Sequence, residues 1–372
     1  MSNSSIVFIC GNGDTLYRFR LELIKSLIKK NYTVYAFAPE IPADFLEELE
    51  SLGLIFHKIS FKRKTVNIFD TFVSIFEITK KLRKINPDIV FSYTHKSVVV
   101  GSISALLAGR LRSISLITGT GHIFDNHDFT QKIKRFLGIL GFKISLFFSE
   151  IVFFQNPDDL KLFCSLGMTK KSKSILLNGS GVDLSKFLPT PLPKEPVFLC
   201  MSRLIKSKGL LDYANAAKIV KSSYPNARFL LYGFPDDHQD SLDESEIINS
   251  WTDTYGIEYF GFTNNPVETI SECSIYVLLS YNEGTPRSVL EAMSMGRPII
   301  TTDVPGCRET VSVGLNGYLA NLKDPESAAD AMIKILDEEK RMTMGKNSRK
   351  LCEEKYDVHQ VNSTILSELN IS

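Results

Sequence analysis

Two doubly wound α/β domains are what this 372-residue sequence predicts, and three observations predict them. Short apolar runs alternate with longer amphipathic stretches over the first half, a proline-rich segment interrupts the pattern, and the pattern then starts afresh. A chain of this length is too long for one ordinary core and suits two domains of common size.

Strand-like runs in the first half fall at 5–10, 32–38, 54–58, 88–93, 113–118, 150–155 and 174–177, with helix-length segments between them at 16–30, 70–85 and 131–146. Alternation of this kind means βαβ units and a parallel sheet. The stretch from Phe187 to Pro196 holds four prolines in ten residues and reads as a linker. Beyond it, strands are expected at 197–201, 228–232, 258–260, 275–279 and 298–302, and helices at 209–222, 241–251, 287–295 and 327–337. The expected division is therefore 1–188 for the first domain, 189–356 for the second, and a last helix over 357–372 that packs back on the first. Ligands of doubly wound sheets bind at the carboxyl ends of the strands, so a cleft between two such edges is the expected site.

Composition narrows the class. A hydrophobic fraction of 44% with 23% charged residues is that of a globular protein and argues against disorder. The polar start leads straight into the apolar run 6–10, too short for the core of a secretion signal. No run reaches the ~18 uninterrupted apolar residues of a membrane span; the nearest, 136–154, is broken by Lys143, Ser145, Ser149 and Glu150. A cytoplasmic protein, peripheral at most on the inner face of the cell membrane, is the expectation. Six scattered cysteines without Cys-x-x-Cys spacing read as reduced, buried thiols rather than a zinc site.

The net charge of +1 hides an asymmetry, roughly +9 over residues 1–190 and roughly −8 over the rest. Basic clusters sit at Lys62-Arg63-Lys64, at Lys80, Lys81, Arg83 and Lys84, and at Lys132, Lys134 and Arg135. They read as solvated helix faces or as a surface turned to something anionic, such as a phospholipid leaflet or a lipid diphosphate. Nucleic acid is not expected, because the basic runs lack interleaved aromatics and binding motifs. The segment 131–148 sets its basic residues beside Phe136, Leu137, Ile139, Leu140, Phe142, Leu146, Phe147 and Phe148, which makes it the candidate contact with an anionic membrane surface.

The first glycine loop, Gly11-Asn12-Gly13-Asp14, follows a strand and opens a helix, where backbone approaches a ligand closely and the helix start favours negative charge. Tight-turn geometry accounts for it as well as ligand binding does. The most informative segment runs from Glu283 to Pro298. A strand ends at 279, Glu283-Gly284 forms the loop, and Pro286 is expected in the first turn of a helix, where no backbone donor is needed. The N–H groups of Gly284, Thr285 and Arg287 then serve a diphosphate or sugar oxygens. Glu291 lies two turns further on, where its carboxylate can accept from a vicinal diol such as ribose, while Glu283 at the helix mouth reaches a donor sugar.

This segment resembles the E-x7-E signature of the retaining glycosyltransferases of family four, which have the GT-B fold: two Rossmann-like domains facing each other across a cleft. The resemblance spans nearly the whole chain. Ser202-Arg203-Leu204, followed by Lys208-Gly209, resembles their Gly-Arg-Leu-x-x-x-Lys-Gly motif, whose Arg and Lys bind the donor diphosphate; Ser202 replaces the usual Gly. Asn178 to Asp183 and Phe187 resemble their Asn-Gly-Val-Asp-x-x-x-Phe, with an extra small pair. Gly233 and Gly261-Phe262-Thr263 resemble the turns that hold the nucleotide base, and Pro305 to Glu309 resembles the loop after the last strand of the nucleotide site. Charge arithmetic supports the basic pair separately: a diphosphate leaving group needs cations and helix N–H groups if no metal is present.

The resemblance implies that the first domain binds acceptor and the second the nucleotide sugar. It implies transfer of a hexose or N-acetylhexosamine from a UDP-sugar to a glycan, lipid-linked as in the bacterial surface-polysaccharide subgroup, with no cofactor beyond the donor and no metal. Glu283 and His122 are the expected catalytic residues. Arg203, Lys208, Gly284, Thr285, Pro286, Arg287, Glu291, Gly233, Phe262 and Thr263 are expected to bind donor. Gly11, Asn12, Gly13, Asp14 and His95 are expected on the acceptor side. Asp236-Asp237-His238 and the Asp125, His127, Asp128 group are read as solvated turns rather than metal ligands. A UDP-sugar epimerase and a non-catalytic nucleotide-sugar-binding module are the alternatives; only a transferase releases UDP on supply of an acceptor.

Overall fold

The protein is described by a computed structural model over residues 4–61, 68–120, 129–236 and 240–371, the side chains of 68 and 129–134 excepted. It divides into two compact units, Met1–Ser180 with Asn362–Ser372, and Gly181–Val361.

In the first unit a seven-stranded parallel sheet is built from β1 (Ser5–Ile9), β2 (Thr33–Ala38), β3 (Ile55–Lys58), β4 (Ile89–Tyr93), β5 (Arg112–Ile117), β6 (Ile151–Phe154) and β7 (Ser174–Leu176), in the order β3-β2-β1-β4-β5-β6-β7. The central strands are buried along almost their whole length, which is why they read as unbroken apolar runs. The connecting helices are α1 (Asp14–Lys29), α2 (Ala43–Ser51), α3 (Ile68–Ile85), α4 (His95–Gly109), α5 (Phe129–Phe148) and α6 (Pro157–Ser165). The strand order runs one way through α1 and α2 and the other way through α3, α4 and α5. Right-handed crossovers therefore put these two groups on opposite faces of the sheet. Asn156 caps α6, its side chain accepting from the Asp159 N–H, with Pro157 in the first position of the helix. Lys173 caps the other end of α5, its ammonium donating to the carbonyls of Leu146, Phe147 and Ser149.

In the second unit six parallel strands, β8 (Val197–Met201), β9 (Arg228–Tyr232), β10 (Ile257–Tyr259), β11 (Ile275–Leu278), β12 (Ile299–Thr302) and β13 (Gly317–Ala320), take the order β10-β9-β8-β11-β12-β13. Around them lie α7 (Leu210–Ser223), the short α8 (Glu244–Glu246) and α9 (Thr252–Tyr255) on either side of a π-turn, α10 (Pro266–Ser271), α11 (Arg287–Ser294), α12 (Pro325–Ile333) and α13 (Glu338–Lys355), while α14 (Val358–Glu368) starts in this unit and runs on into residues that belong with the first. One apolar cluster, from Val197 and Phe198 through Tyr276 and Met293 to Tyr356, fills this unit. The edge strand β13 was not expected from the sequence: it is four residues long and begins on Gly317, whose hydrogen stands where a Cβ would lie 1.8 Å from the Ile299 carbonyl oxygen.

The proline run is not a free linker. The second unit begins at 181, ahead of the expected boundary at 188, because backbone bonds hold that segment: Val182 N–H to the Tyr356 carbonyl at 2.7 Å and Val358 N–H to the Val182 carbonyl at 3.0 Å. Arg297, fully buried, then grips Thr190 through its carbonyl at 2.7 Å and its hydroxyl at 2.6 Å. Arg341 donates to the Lys194 carbonyl, and Ser294 and Arg349 donate to that of Phe187. The last residues, 362–372, belong with the first unit, where Arg112 donates to the Leu369 carbonyl at 2.8 Å. Five of the six cysteines are buried and all six are reduced. Among the described residues no helix is long and apolar enough to cross a membrane.

Close packing of α4 on the sheet depends on Gly101. A Cβ there would stand 2.0 Å from Ser92 Oγ and 3.3 Å from Ile9 Cδ1. Gly101→Ala is expected to cost about 1–3 kcal/mol, the usual penalty for forcing volume into a packed contact. Ser92→Ala in the same chain should return part of that, since the Ser92 hydroxyl has no hydrogen-bond partner among the described residues. Chemical denaturation reads both, and a parent-like midpoint for the single Gly101 variant refutes the close contact.

Candidate functional site

The second sheet reverses its strand order between β8 and β11, and the loops leaving their carboxyl ends flank that reversal. The loop after β8 carries Arg203 and ends in a 3-10 turn over Lys206–Lys208 before α7. Gly209 makes the turn into the helix: its φ is +65°, and a Cβ would lie 2.0 Å from the Leu279 carbonyl oxygen. The Tyr281 N–H donates to the Ser207 carbonyl at 2.9 Å, lacing this loop to the one after β11. Lys208 consequently meets Glu283 in a direct ion pair, both side chains 16% exposed. On the other side, Arg203 pairs with Asp236 from the loop after β9.

The loop holding Glu283 is itself held. Its N–H donates to the Pro305 carbonyl, and a Cβ on Gly306 would stand 2.2 Å from the Glu283 carbonyl oxygen. The loop after β12 is thus pressed against the one after β11, which only glycine at 306 permits. Helix α11 begins at Arg287, with Pro286 at the N-cap, φ −71° and ψ 114°. The sequence predicts Pro286 in the first turn, but it sits one position before it: its extended ψ lies outside the helix, while its fixed φ suits the entry. Arg287 reaches Glu291 one turn along at 3.1 Å and also donates to the Gly181 carbonyl. Glu291 is therefore a paired carboxylate rather than a surface charge.

The remaining loops complete the edge. Gly233 N–H donates to the Gly261 carbonyl at 2.8 Å, and a Cβ on Gly233 would stand 2.2 Å from the Ser202 carbonyl oxygen. Phe234 and Phe262 meet edge to face at 5.3 Å and are both exposed, and the Thr263 hydroxyl accepts from Thr269 at 2.9 Å. Burial pushes the Cys200 thiol up to about 12 and that of Cys307 well above its ordinary range, so the thiols near these loops stay protonated. Asp183 serves its own turn: burial pushes its carboxyl up, but bonds from the Ser185 N–H and hydroxyl and the Lys186 N–H outweigh that and leave it below its ordinary value.

The first sheet reverses its order between β1 and β4. Gly11–Asp14 follow β1 and His95 opens α4 after β4, so the structure brings the expected acceptor-side residues to one switch point. Gly13 is required there, since a Cβ would lie 2.0 Å from the Glu40 carbonyl oxygen. The Asn12 side chain accepts from the Asp14 N–H at 3.2 Å, and Thr15 bonds the Asn12 carbonyl and the Tyr93 hydroxyl. His95 Nε2 bonds the Gly119 carbonyl oxygen, with the edge of Phe142 against its ring. His122 lies outside the described residues, as do Asp125, His127, Asp128, Asp237 and His238.

Two residues were missed from the sequence. Asp236 was read as part of a solvated turn, and Phe234 was not singled out. The signal available was position: both follow the end of β9 by no more than four residues, as Arg203 follows β8.

Comparison with known proteins agrees with this arrangement. Residues 186–351 match the family model described as Glycosyl transferases group 1, and residues 7–156 match the one described as Glycosyl transferase 4-like. A Campylobacter jejuni protein named N,N'-diacetylbacillosaminyl-diphospho-undecaprenol alpha-1,3-N-acetylgalactosaminyltransferase is 28% identical over 358 residues, 92% of each chain. An Escherichia coli UDP-Gal:alpha-D-GlcNAc-diphosphoundecaprenol alpha-1,3-galactosyltransferase is 24% identical over 77% of this chain and 76% of its own. The crystal structure of Anabaena HepE in complex with UDP and glucose matches with a TM-score of 0.78 at 17% identity over 99% of each chain, which speaks for the fold. With one family match on each unit, together taking up most of the sequence, the chain belongs to the family-four-like glycosyltransferases of the GT-B fold.

Proposed function

We propose that the chain moves a hexose or N-acetylhexosamine from a UDP-sugar to a lipid-linked glycan, with retention at the anomeric carbon and without a metal ion, at the inner face of the cell membrane during surface-polysaccharide assembly. The observation that carries this reading is the pair of ion pairs, Lys208 with Glu283 and Arg203 with Asp236, on the loops beside the strand-order reversal. A nucleoside diphosphate brings the negative charge that the two carboxylates supply in its absence, so donor binding exchanges one set of anions for another on the same two cations. That exchange turns Glu283 toward the donor sugar. As the bond from the anomeric carbon to the diphosphate breaks, charge grows on the leaving group. In this reading the guanidinium and ammonium, with the N–H groups of Gly284, Thr285 and Arg287 at the mouth of α11, stabilise that charge. Glu291, held by Arg287, takes the ribose, and the aromatic loops at Gly233 and Gly261 to Thr263 take the base. Gly11 to Asp14 and His95 serve the acceptor, and His122 acts at the reacting centre.

The lipid-linked acceptor is supported by the diphospho-undecaprenol named in the Campylobacter and Escherichia coli relatives, and the uridine donor by the UDP in the second of these names and in the Anabaena complex.

Release of UDP separates this reading from the alternatives. A transferase releases UDP in step with acceptor, whereas an epimerase interconverts donors alone and a binding module does neither; donor turnover without acceptor sinks the reading. Arg203→Ala and Lys208→Ala are each expected to weaken UDP binding by about 1.5–3 kcal/mol, the range for hydrogen bonds to charged groups. Parent-like calorimetric affinity in both variants removes the cations from the donor site. Glu291→Ala should raise the donor Michaelis constant more than it lowers turnover, because ribose contacts are made equally in ground and transition states. Glu283→Gln should chiefly lower turnover. Equal effects on both parameters in both variants deny the two glutamates separate roles.

A further inference from the structure

Helix α3 is apolar on two sides. Ile75, Ile78 and Leu82 face the core of the first unit. On the opposite side Phe72, Val73 and Phe76 stand in solvent, Phe76 with 76% of its surface exposed. The same outward stripe continues one and two turns later as Lys80, Arg83 and Lys84, all exposed. Helix α5 repeats the design. Phe142 and Leu146 are buried, while Phe136, Leu140, Ile144 and Phe147 are exposed, Phe147 at 70%. Its 20 residues include no acid, and Lys143 lies on the exposed side. Helix α4 packs against both, so the two outward stripes belong to one face of the sheet. Isolated exposed apolar residues need no explanation; seven large ones on two helices of one face do.

We infer that the outward faces of α3 and α5 seat the first unit on an anionic phospholipid bilayer, the aromatic and branched side chains entering the headgroup–acyl boundary and the lysines and arginines meeting lipid phosphates. The inference rests on the membrane-linked acceptor proposed above and names the surface that brings the enzyme to it. Charge selects the occupant. A two-fold contact between two copies would set basic stripe against basic stripe, whereas an anionic leaflet complements both the apolar and the basic parts of the face. Position agrees. Helices that follow parallel strands begin at the carboxyl edge of the sheet, so the apolar half of α3 lies toward the edge that carries Gly11–Asp14 and His95, and its basic half lies away from it. The same end of α3 is tied to that edge: Ser74 donates to the Ser60 carbonyl at 3.0 Å, and the neighbouring Phe61 ring stands 2.9 Å from where a Cβ on Gly11 would be. In α5, the buried Phe142 that backs the exposed stripe is the ring touching His95.

The experiment uses the full chain with phosphatidylcholine vesicles and with vesicles that also contain phosphatidylglycerol. The parent is expected to sediment with the second kind at low salt and not with the first. A Phe72→Ser, Phe76→Ser, Phe147→Ser variant is expected to lose about tenfold or more of that binding, since apolar area and charge act together at such surfaces. A Lys80→Glu, Lys84→Glu, Lys143→Glu variant should lose it as well, and both should keep the parent's circular dichroism and thermal unfolding, which shows that the first unit folds, and the parent's UDP affinity, which shows that the second does. The proposal is overturned if the parent binds neither vesicle, if the serine variant sediments like the parent, or if the parent is a dimer in solution that the serine variant dissolves. A parent that binds vesicles but not UDP leaves the surface standing and sinks the donor reading; one that binds UDP but no vesicle does the reverse.

Discussion

Neighbouring strands β8 and β11 of the second sheet send their chains to opposite sides, and everything proposed for the donor depends on the gap this opens at their carboxyl ends. Two loops that diverge leave backbone and side chains lining a space that no helix fills. Lys208 and Glu283 come from the two sides of that gap and meet across it. Neither is fully buried, so the pair keeps access to water and to a ligand; a deeply buried pair would carry a desolvation cost that no incoming anion could offset. Gly209 brings the first of these loops against the second, and Gly306 presses the loop after β12 against the second from its other side, each occupying a place where a side chain would strike a neighbouring carbonyl.

The paired charges at these loops are also self-neutralising. Arg203 and Lys208 each face a carboxylate on their own unit, so the two cations at the proposed donor site are each balanced by an anion. The free energy of binding is then the difference between two sets of charge-assisted bonds rather than the full attraction of a diphosphate for bare cations. Selectivity follows from geometry: an anion that cannot span both cations displaces only one carboxylate.

Much of this was legible in the sequence because its signals are local. Strand and helix alternation, the glycine loops and the spacing of Arg203, Lys208, Glu283 and Glu291 each lie within a single strand–loop–helix stretch, and the structure puts Arg203 and Glu283 on loops at the carboxyl edge, Lys208 in the turn and Glu291 in the helix that follow them. What escaped depends on contacts between distant residues. Asp236 has the composition of a solvated turn and becomes a site residue only because β9 lies beside β8. β13, four residues that begin on a glycine, is too short to stand out, and pairs because β12 offers an edge. The outward stripe of α3 has the period of an ordinary amphipathic helix, and only the position of the sheet tells which of its two apolar sides is the core. The proline run was taken as a linker on composition, whereas buried arginines hold its carbonyls.

Arg297 shows what that last arrangement entails. Its guanidinium is wholly buried, and the hydrogen bonds it makes run to neutral oxygens: the carbonyls of Ile270, Met295, Thr190 and Ser271 and the Thr190 hydroxyl. Burial lowers its proton affinity, yet an arginine keeps its charge in proteins, so those oxygens, with the Cys273 thiol beside them, are what solvates it. Thr190 supplies two of the contacts from a segment that precedes the first strand of the second sheet. A second unit excised to begin at that strand would keep all six strands and every donor-site loop, and it would still strand a cation in its interior. The second unit is therefore longer than the sheet it contains, and part of the segment ahead of its first strand is held there by the hydration of one side chain.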